Sequence, residues 1–301
     1  MADEVWTRRT FFKRSAVVTA MAVGGPALLG ACSRTSQAGG GSVLDNARKS
    51  GTIKIGIAGE QPYGFTDKSG NVTGEAPEVA RAIFKNLGIA NVQATQVDFN
   101  QLIPALNARQ FDLVAAGMDI TPTRCKNALF SVPDYSALPA FLVPKGNPKG
   151  VKSFDDVKTA GAKLAVLSGA VEKDFATQAG IGADQMQSYD TQNALLQAIT
   201  SNRADAAVLT DISFKTVVQQ NPSAPVEVTP GFAPVINGKK GVETGGFVFR
   251  KDESDLVAAF NNELKKLHDS GEWVRIVQPF GFSQDNVPTP DVTTESLCAA
   301  S

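Results

Sequence analysis

The chain has 301 residues, and its 29 Lys and Arg residues nearly balance its 30 Asp and Glu residues. This balance creates no strong electrostatic field that would recruit nucleic acid or a lipid surface. The single histidine, His268, lies in a charged stretch predicted to be a solvated helix face, and it leaves no plausible zinc cluster. We therefore expect neither a metal nor a cofactor.

The N-terminal segment is predicted to direct export. Arg8 and Arg9 precede two phenylalanines and a lysine, and an apolar stretch follows over residues 16–29. This stretch is too short to span a bilayer core of about 30 Å comfortably. The pattern predicts a twin-arginine export signal, with an ordinary secretory signal as the alternative.

Cys32 is predicted to carry a lipid. It follows Leu29, Gly30 and Ala31, and small residues before a cysteine resemble the bacterial lipobox. Residues 33–43 are rich in Ser, Gly, Gln and Ala, a composition typical of flexible coil. We therefore expect a signal over residues 1–32 and a tether over residues 33–43. A small buried cysteine without a role is the alternative.

Strand and helix patterns alternate through the rest of the chain. Strands are predicted at residues 53–57, 112–116, 163–167 and 205–209, with helices opening at residues 75–77, near 102–106, at 171 and near 195–199. Such alternation favours α/β layers with largely parallel sheets.

Two stretches are interpreted as crossings between lobes. Residues 141–148 form an apolar run with a turn-rich exit, and residues 246–250 return before an amphipathic helix. About 260 residues after the tether suffice for two domains. We predict a first lobe over residues 44–144, a second lobe over residues 145–246, and a return to the first lobe, with a C-terminal tail, over residues 247–301.

Three motifs, at residues 59–65, 111–118 and 121–125, resemble the amino-acid-type periplasmic binding proteins. Arg124-Cys125 and the stretches 279–282 and 293–298 are similar, more narrowly, to the ectoine- and hydroxyectoine-binding proteins of ABC importers. The resemblance covers nearly the whole mature chain. It implies a two-lobed type II periplasmic-binding-protein fold, each lobe a mostly parallel sheet flanked by helices and joined by a two-strand hinge.

The same resemblance implies how the protein acts. The protein would capture a small zwitterion by hinge closure and deliver it to an ABC permease with its ATPase. We expect a monomer, and not an enzyme, since the lipid anchor and the tether suit capture beside a transporter. Ectoine or hydroxyectoine is the first expected ligand, and a neutral or basic amino acid is the alternative. A dehydratase-type enzyme on the same fold is the remaining alternative, for which Glu172 is the candidate general acid.

Site residues in the first lobe are assigned partly by residue chemistry and partly by resemblance. Arg124 is expected to grip a carboxylate through two parallel hydrogen bonds. Gly117 follows an apolar strand, so its carbonyl could face a ligand donor. By resemblance, Glu60, Tyr63 and Phe99 contact the cationic end of the ligand, and aromatic faces do attract cations.

Asp119 departs from the resemblance, because ectoine binders are expected to carry an aromatic residue there. In the second lobe, Gly169, Ala170 and Val171 join a strand to a helix, where free amides favour anions. Asp211 matches, by resemblance, the residue that amino-acid binders use for the ligand's ammonium group. Its alternative role is an N-cap of a helix beginning at residue 212.

Cys125 and Cys298 are the cysteines that remain after lipidation of Cys32. Two cysteines in an exported chain favour a disulfide, with two free thiols as the alternative.

Overall fold

The computed structural model describes residues 41–236, 239–241 and 243–299. The predicted export signal, the predicted lipidation site at Cys32 and most of the predicted tether lie outside these residues. Within the part that the structure describes, no helix is both long and apolar enough to cross a membrane.

The helices and strands alternate along the described chain. The helices are α1 (Val43–Ser50), α2 (Glu75–Asn86), α3 (Leu102–Asn107), α4 (Pro122–Cys125), α5 (Phe154–Thr159), α6 (Val171–Gln178), α7 (Gln192–Thr200), α8 (Asp211–Gln220), α9 (Ser254–Asp269), α10 (Glu272–Val277) and α11 (Thr294–Ala299). The strands are β1 (Thr52–Ile57), β2 (Phe65–Thr66), β3 (Val72–Thr73), β4 (Asn91–Gln96), β5 (Leu113–Asp119), β6 (Leu129–Phe130), β7 (Tyr135–Ala137), β8 (Pro139–Pro144), β9 (Leu164–Leu167), β10 (Met186–Tyr189), β11 (Ala206–Thr210), β12 (Val226–Val228), β13 (Val235–Ile236), β14 (Lys239–Lys240) and β15 (Glu243–Phe249). The strands and helices predicted from periodicity are confirmed.

Two main sheets organise these elements. The first has the order β4-β1-β5-β15-β6, with β7 also paired to β15, and the second has the order β10-β9-β11-β8-β12. In the first sheet β1 is parallel to β4 and β5, whereas β15 is antiparallel to β5. In the second, β9 is parallel to β10 and β11, whereas β8 is antiparallel to β11. Both sheets are therefore mixed rather than mostly parallel. The antiparallel strands are β15 in the first sheet and β8 in the second, and each is the strand with which the chain arrives from the other lobe.

The chain changes sheet at two places. Leu138 separates β7 of the first sheet from β8 of the second, and residues 229–242 lie between β12 and β15. The predicted boundary at residue 144 comes later than the first change of sheet, because the apolar run of β8 resembles a strand that leaves the first lobe but pairs within the second sheet. The predicted boundary at residue 246 also comes late, since β15 of the first sheet already begins at Glu243. We call residues 41–137 and 243–299 the first lobe and residues 139–228 the second lobe. As domain boundaries, these limits remain a proposal.

Apolar side chains explain why these elements pack as they do. Ile53, Ile55 and Ile57 of β1 are at most 1% exposed and lie in the first lobe's core. On α2, Val79 and Ile83 share one face and are fully buried against the same core. This spacing of three to four residues is that of one face of a helix.

A buried polar cluster lies inside the first lobe. Asp134 is 2% exposed and accepts a hydrogen bond from the Trp273 indole nitrogen at 2.8 Å. The His268 ring stacks on Trp273 with centroids 5.0 Å apart, and its Nε2 lies 3.9 Å from Asp134 Oδ1. His268 is therefore largely buried, and the prediction of a solvated surface histidine is wrong. The charged sequence around it describes the outer face of α9, whereas its own side chain turns toward Trp273.

Glu75 completes this cluster and makes the folded state sensitive to pH. It is fully buried, and burial raises its pKa well above the ordinary value of 4.5, with the Asp134 carboxyl group acting in the same direction. The pKa of Glu75 is higher in the folded than in the unfolded protein, so folding favours its protonated form. The stability contributed by this protonated carboxyl group is complete below the unfolded pKa and is lost as the pH rises through the folded pKa.

We therefore expect Glu75→Gln to flatten the decline of the free energy of unfolding between about pH 6 and pH 9. Urea denaturation of both proteins at the two pH values measures this. Glu272→Gln changes an exposed carboxylate and should keep the wild-type slope. An equally steep decline in Glu75→Gln would contradict the assignment.

Candidate ligand-binding site

The predicted site residues converge on the cleft where the strands of the two lobes end. Asp119 ends β5, and Glu60 lies in the loop after β1. From the second lobe, Gly169 follows β9 and Asp211 follows β11. The carboxyl ends of parallel strands are where open α/β sheets bind ligands.

Arg124 bridges the two lobes. It lies on α4, where the Thr121 side chain accepts a hydrogen bond from the Arg124 amide at 3.3 Å. Its guanidinium donates to the Asp119 carbonyl at 2.7 Å and to the Gly169 carbonyl of the second lobe at 2.8 Å. The side chain is only 12% exposed. A guanidinium has five N–H donors, so further donors remain for a carboxylate in the cleft.

Phe99 packs against this guanidinium. The Arg124 Cζ atom lies 5.6 Å from the centroid of the Phe99 ring, and Phe99 is 7% exposed. The aromatic face that the resemblance assigned to a ligand cation therefore contacts the protein's own cation.

Tyr63 lies at the bottom of the cleft among other aromatic rings. Its ring centroid is 5.0 Å from that of Tyr135. Gly117 has a left-handed φ of 62°, and a methyl group there would lie 2.2 Å from the Tyr63 ring, so only glycine fits. The Gly117 carbonyl, predicted to face a ligand donor, accepts the Tyr135 hydroxyl at 2.8 Å. Tyr135 is a site residue that sequence reasoning missed.

A chain of hydrogen bonds crosses the cleft from Tyr63 to Glu60. The Tyr63 hydroxyl donates to Thr210 Oγ1 at 3.2 Å, Thr210 donates to Ser213 Oγ at 3.0 Å, and Ser213 donates to Glu60 Oε1 at 2.6 Å. Tyr63 and Glu60 belong to the first lobe, whereas Thr210 and Ser213 belong to the second. Burial raises the pKa of Glu60 to about 7, although the Ser213 bond lowers it. The cleft is therefore closed in this structure.

A second contact across the cleft joins two glutamines. Gln192 Nε2 donates to the Gln61 carbonyl at 2.6 Å, and the Gln61 amide donates to Gln192 Oε1 at 3.3 Å. A surface groove of about 790 Å³ runs beside this contact and is lined by residues such as Pro62 and Phe280. It does not include Arg124, so it lies outside the candidate site.

The strand-to-helix turn of the second lobe reaches the first lobe at Gly169. Its φ is 82°, and a methyl group there would lie 2.8 Å from Asn100 Cβ of the first lobe. Helix α6 begins at Val171, as predicted. The Ala170 amide, however, donates to the Leu167 carbonyl at 3.2 Å, so the expected anion contact falls to Val171 and the rest of the first turn.

Asp211 is the first residue of α8 rather than its N-cap. Thr210 caps the helix, since its hydroxyl accepts the Ser213 amide at 3.4 Å. The Asp211 carboxylate is 17% exposed and forms an ion pair with Lys215, one turn along the helix. The proposed role of Asp211 toward an ammonium group therefore has to compete with this lysine.

Carboxyl groups dominate the electrostatics of the cleft. Burial raises the pKa of Asp119 to about 6, while the Arg124 guanidinium, 3.9 Å away, lowers it. Burial also raises the pKa values of Glu172 and Glu243 well above the ordinary range. From the sequence alone, Glu172 is considered only as the general acid of an enzyme, and Glu243 is not identified. The position of Glu243 at the start of an apolar strand is a signal that could have pointed to it.

A disulfide joins the residue next to Arg124 to the C-terminal tail. Cys125, the neighbour of Arg124, is bonded to Cys298 of α11, with Cα atoms 5.7 Å apart. The tail is also held by Thr294, whose hydroxyl donates to the Ser131 carbonyl at 2.6 Å. The C-terminal tail therefore restrains the short helix that carries Arg124.

Comparisons with known proteins agree with this architecture. The model of the family described as bacterial extracellular solute-binding proteins, family 3, matches residues 53–283. A probable amino-acid ABC transporter periplasmic-binding protein, y4tE of Sinorhizobium fredii (strain NBRC 101917 / NGR234), is 32% identical over 268 residues, which cover 88% of this chain and 89% of that protein. The arginine-binding extracellular protein ArtP of Bacillus subtilis (strain 168) is 34% identical over 69% of this chain and 78% of its own length. The crystal structure of EhuB in complex with hydroxyectoine is similar with a TM-score of 0.78 and 34% identity, covering 86% of this chain and 98% of that chain.

Proposed function

The chain belongs to family 3 of the bacterial extracellular solute-binding proteins, and on that premise we propose that it captures a small solute bearing both a carboxylate and a cationic group. As a solute-binding protein of an amino-acid-type ABC transporter, it would then deliver this solute to a permease and its ATPase. We propose that it works as a monomer outside the cytoplasmic membrane.

The observation that carries this proposal is the position of Arg124 beside the buried acids of the cleft. Arg124 offers a guanidinium fork to a carboxylate, while Glu60 and Asp119 provide negative charge for a cation. A ligand with both groups would be held from both lobes, so it would have extra affinity for the closed state and would drive closure.

Two ligand chemistries remain, and the described side chains favour an α-amino acid over ectoine. Phe99 faces Arg124, and Asp119 supplies a carboxylate where the resemblance to ectoine binders requires an aromatic ring. The named relatives include an arginine-binding protein. Ectoine or hydroxyectoine, the first ligand expected from the sequence, becomes the second candidate, supported by the likeness to EhuB and by the buried Tyr63 ring.

Asp119→Tyr separates the two ligands. If the ligand is an α-amino acid, the substitution removes an ammonium partner and should weaken binding at least tenfold, about 1.4 kcal/mol. If the ligand is ectoine, the new aromatic ring should retain or strengthen binding. Isothermal titration calorimetry of wild type and variant with arginine, glutamine and ectoine decides between them. An unchanged affinity for every solute that binds would contradict a role for Asp119 in the site.

The route of export and the anchor extend the proposal to residues outside those that the structure describes. We propose that Cys32 is lipidated after export by the twin-arginine route, which would hold the receptor beside its permease. Cys32→Ser should shift the mature protein from the membrane fraction to the soluble fraction after cell fractionation. A variant that stays in the membrane fraction with the wild-type mass would refute the anchor.

We propose binding rather than catalysis, although Glu172 brings one buried acid into the cleft. The relatives named above are described by the solutes or transporters that they serve. Mass spectrometry of a solute after prolonged incubation with the protein separates the two roles, since a receptor returns it unchanged.

A further inference from the structure

Two buried carboxyl groups of the cleft, those of Glu172 and Glu243, form no ion pair with another side chain among the described residues. Glu243, the first residue of β15, is 2% exposed, and neither of its carboxylate oxygens has a hydrogen-bond partner among the described residues. Glu172, on the first turn of α6, is 3% exposed. Burial of a carboxylate without a partner is costly, so such groups mark a place where a proton or a cation is expected.

Strand pairing places Glu243 on the same face of the first sheet as Asp119. Gly245 pairs with Asp119 across β15 and β5, and Glu243 precedes Gly245 by two positions. Side chains two apart on a strand share a face, so the Glu243 side chain is a diagonal neighbour of the Asp119 side chain. Asp119 Oδ1 also has no hydrogen-bond partner among the described residues. The unpartnered oxygens of two neighbouring strands therefore share one face of the sheet.

Glu172 approaches this face from the second lobe, because it follows Gly169 by three residues and the Gly169 carbonyl accepts a hydrogen bond from Arg124 beside Asp119. Burial makes the largest contribution to the raised pKa of Glu243, and the charge of Glu172 makes the next, followed by that of Asp119. Burial and the charge of Asp119 likewise raise the pKa of Glu172, whereas Arg124 lowers it. Acids from both lobes thus act on one another in a closed space.

The other acids of the cleft each have a polar or cationic neighbour from the protein. Asp119 lies beside the Arg124 guanidinium, Asp211 pairs with Lys215, and Glu60 accepts the Ser213 hydroxyl. Under the proposed function, Arg124 also takes the ligand's carboxylate. Neither Glu172 nor Glu243 has a side-chain ion pair among the described residues, so a ligand with a single cationic group would still leave buried acid at this end of the cleft.

We propose that Glu172 and Glu243 form a subsite for a second cationic group, so that the ligand is a small carboxylic acid with two cationic groups, as in the basic amino acids. This inference rests on the proposed function and extends it from the class of solute to its net charge. A neutral end at the same place would leave the two acids without a counter-charge, so they would have to bind protons when the cleft closes.

Arginine and citrulline test this subsite, because they share length, carboxylate and α-ammonium, and differ by a guanidinium against a neutral ureido group. Isothermal titration calorimetry should show that wild type prefers arginine by about 30-fold or more. Glu243→Gln should reduce that preference by at least about tenfold, mainly through weaker arginine binding. Glu172→Gln should act in the same direction, and it carries the test if circular dichroism shows that Glu243→Gln does not fold.

Glu272→Gln is the matched control, since it removes one exposed carboxylate of the first lobe and should keep the wild-type preference. If both variants fold and Glu243→Gln and Glu172→Gln keep the wild-type ratio of arginine to citrulline affinity, the subsite is wrong. Equal affinity of the wild type for arginine and citrulline would also contradict it. Tighter binding of ectoine or citrulline than of arginine would contradict the subsite for a second cationic group but would leave the proposed function intact. Failure of every carboxylate-bearing solute to bind would instead reject the proposed function.

Discussion

Replacing Arg124 with alanine is expected to weaken ligand binding by at least 100-fold, about 2.8 kcal/mol. The guanidinium is the cation beside the buried acids of the cleft, and it also joins the lobes through the Gly169 carbonyl. Truncating one partner of a buried, hydrogen-bonded charge pair costs about 2–5 kcal/mol, because the other partner stays buried and unpaired. Isothermal titration with the tightest solute of the wild type measures the loss.

Two further variants make this result specific to the site. Arg109→Ala removes an arginine whose side chain is 62% exposed and pairs with Asp252 on the surface, so it should bind like wild type. Arg124→Lys keeps the charge but loses the planar fork, and its affinity should fall between those of wild type and Arg124→Ala. Wild-type affinity in Arg124→Ala would remove the basis for the carboxylate contact.

Gly169→Ala is expected to impair binding to a similar extent, about 100-fold, by opposing closure. Its φ of 82° disfavours any side chain, and the added methyl group would lie 2.8 Å from Asn100 Cβ across the cleft. The Asn100 Cα atom lies 2.9 Å from the same methyl position, and side-chain rotation moves neither carbon, so the lobes would have to separate. The Arg124 bond to the Gly169 carbonyl would be lost with them.

Gly146→Ala is the control that separates the backbone strain of Gly169→Ala from its obstruction of the cleft. Gly146 has the same φ of 82°, but a methyl group there meets no other atom within 4 Å. It should lower thermal stability slightly and leave affinity unchanged, whereas Gly169→Ala should fail to contract on addition of ligand in small-angle X-ray scattering. Equal contraction of Gly169→Ala and wild type would show that the contact does not control closure.

Periodicity was sufficient to predict the elements but not how they join into sheets. The isoleucines of β1 and the apolar face of α2 give unmistakable strand and helix patterns, because one side of each is buried in the first lobe's core. The run of β8 is apolar throughout, however, so no alternation distinguishes a buried strand of the second sheet from an exit of the first. That is why the predicted boundary at residue 144 comes later than the change of sheet.

Site residues could be predicted from the sequence where the side chain has a characteristic chemistry, as an arginine has toward a carboxylate. Arg124 lies in the cleft because a capped turn after β5 directs it there, and its guanidinium bridges the lobes. Roles that depend on the partner lobe could not be predicted in this way. Thr210 reaches Tyr63, and Ser213 reaches Glu60, only because the cleft is closed. Within the first lobe, the packing of Arg124 on the Phe99 ring likewise depends on the folded structure.

Buried charge was the feature that local sequence represented least well. Glu75, Glu172 and Glu243 belong to elements with ordinary patterns, and each is buried by residues far away in the chain. Their pKa values follow from that burial and from neighbouring acids, which only the assembled structure brings together.

Calorimetric titration of the wild-type protein with arginine, glutamine, ectoine, hydroxyectoine and glutamate tests the central claim most directly. We predict one-to-one binding of a solute that combines a carboxylate with a cationic group, and no binding of glutamate. The second carboxylate of glutamate would meet the buried acids of the closed cleft without a counter-charge. Tightest binding of glutamate would contradict the account, because the cleft would then have to prefer negative charge.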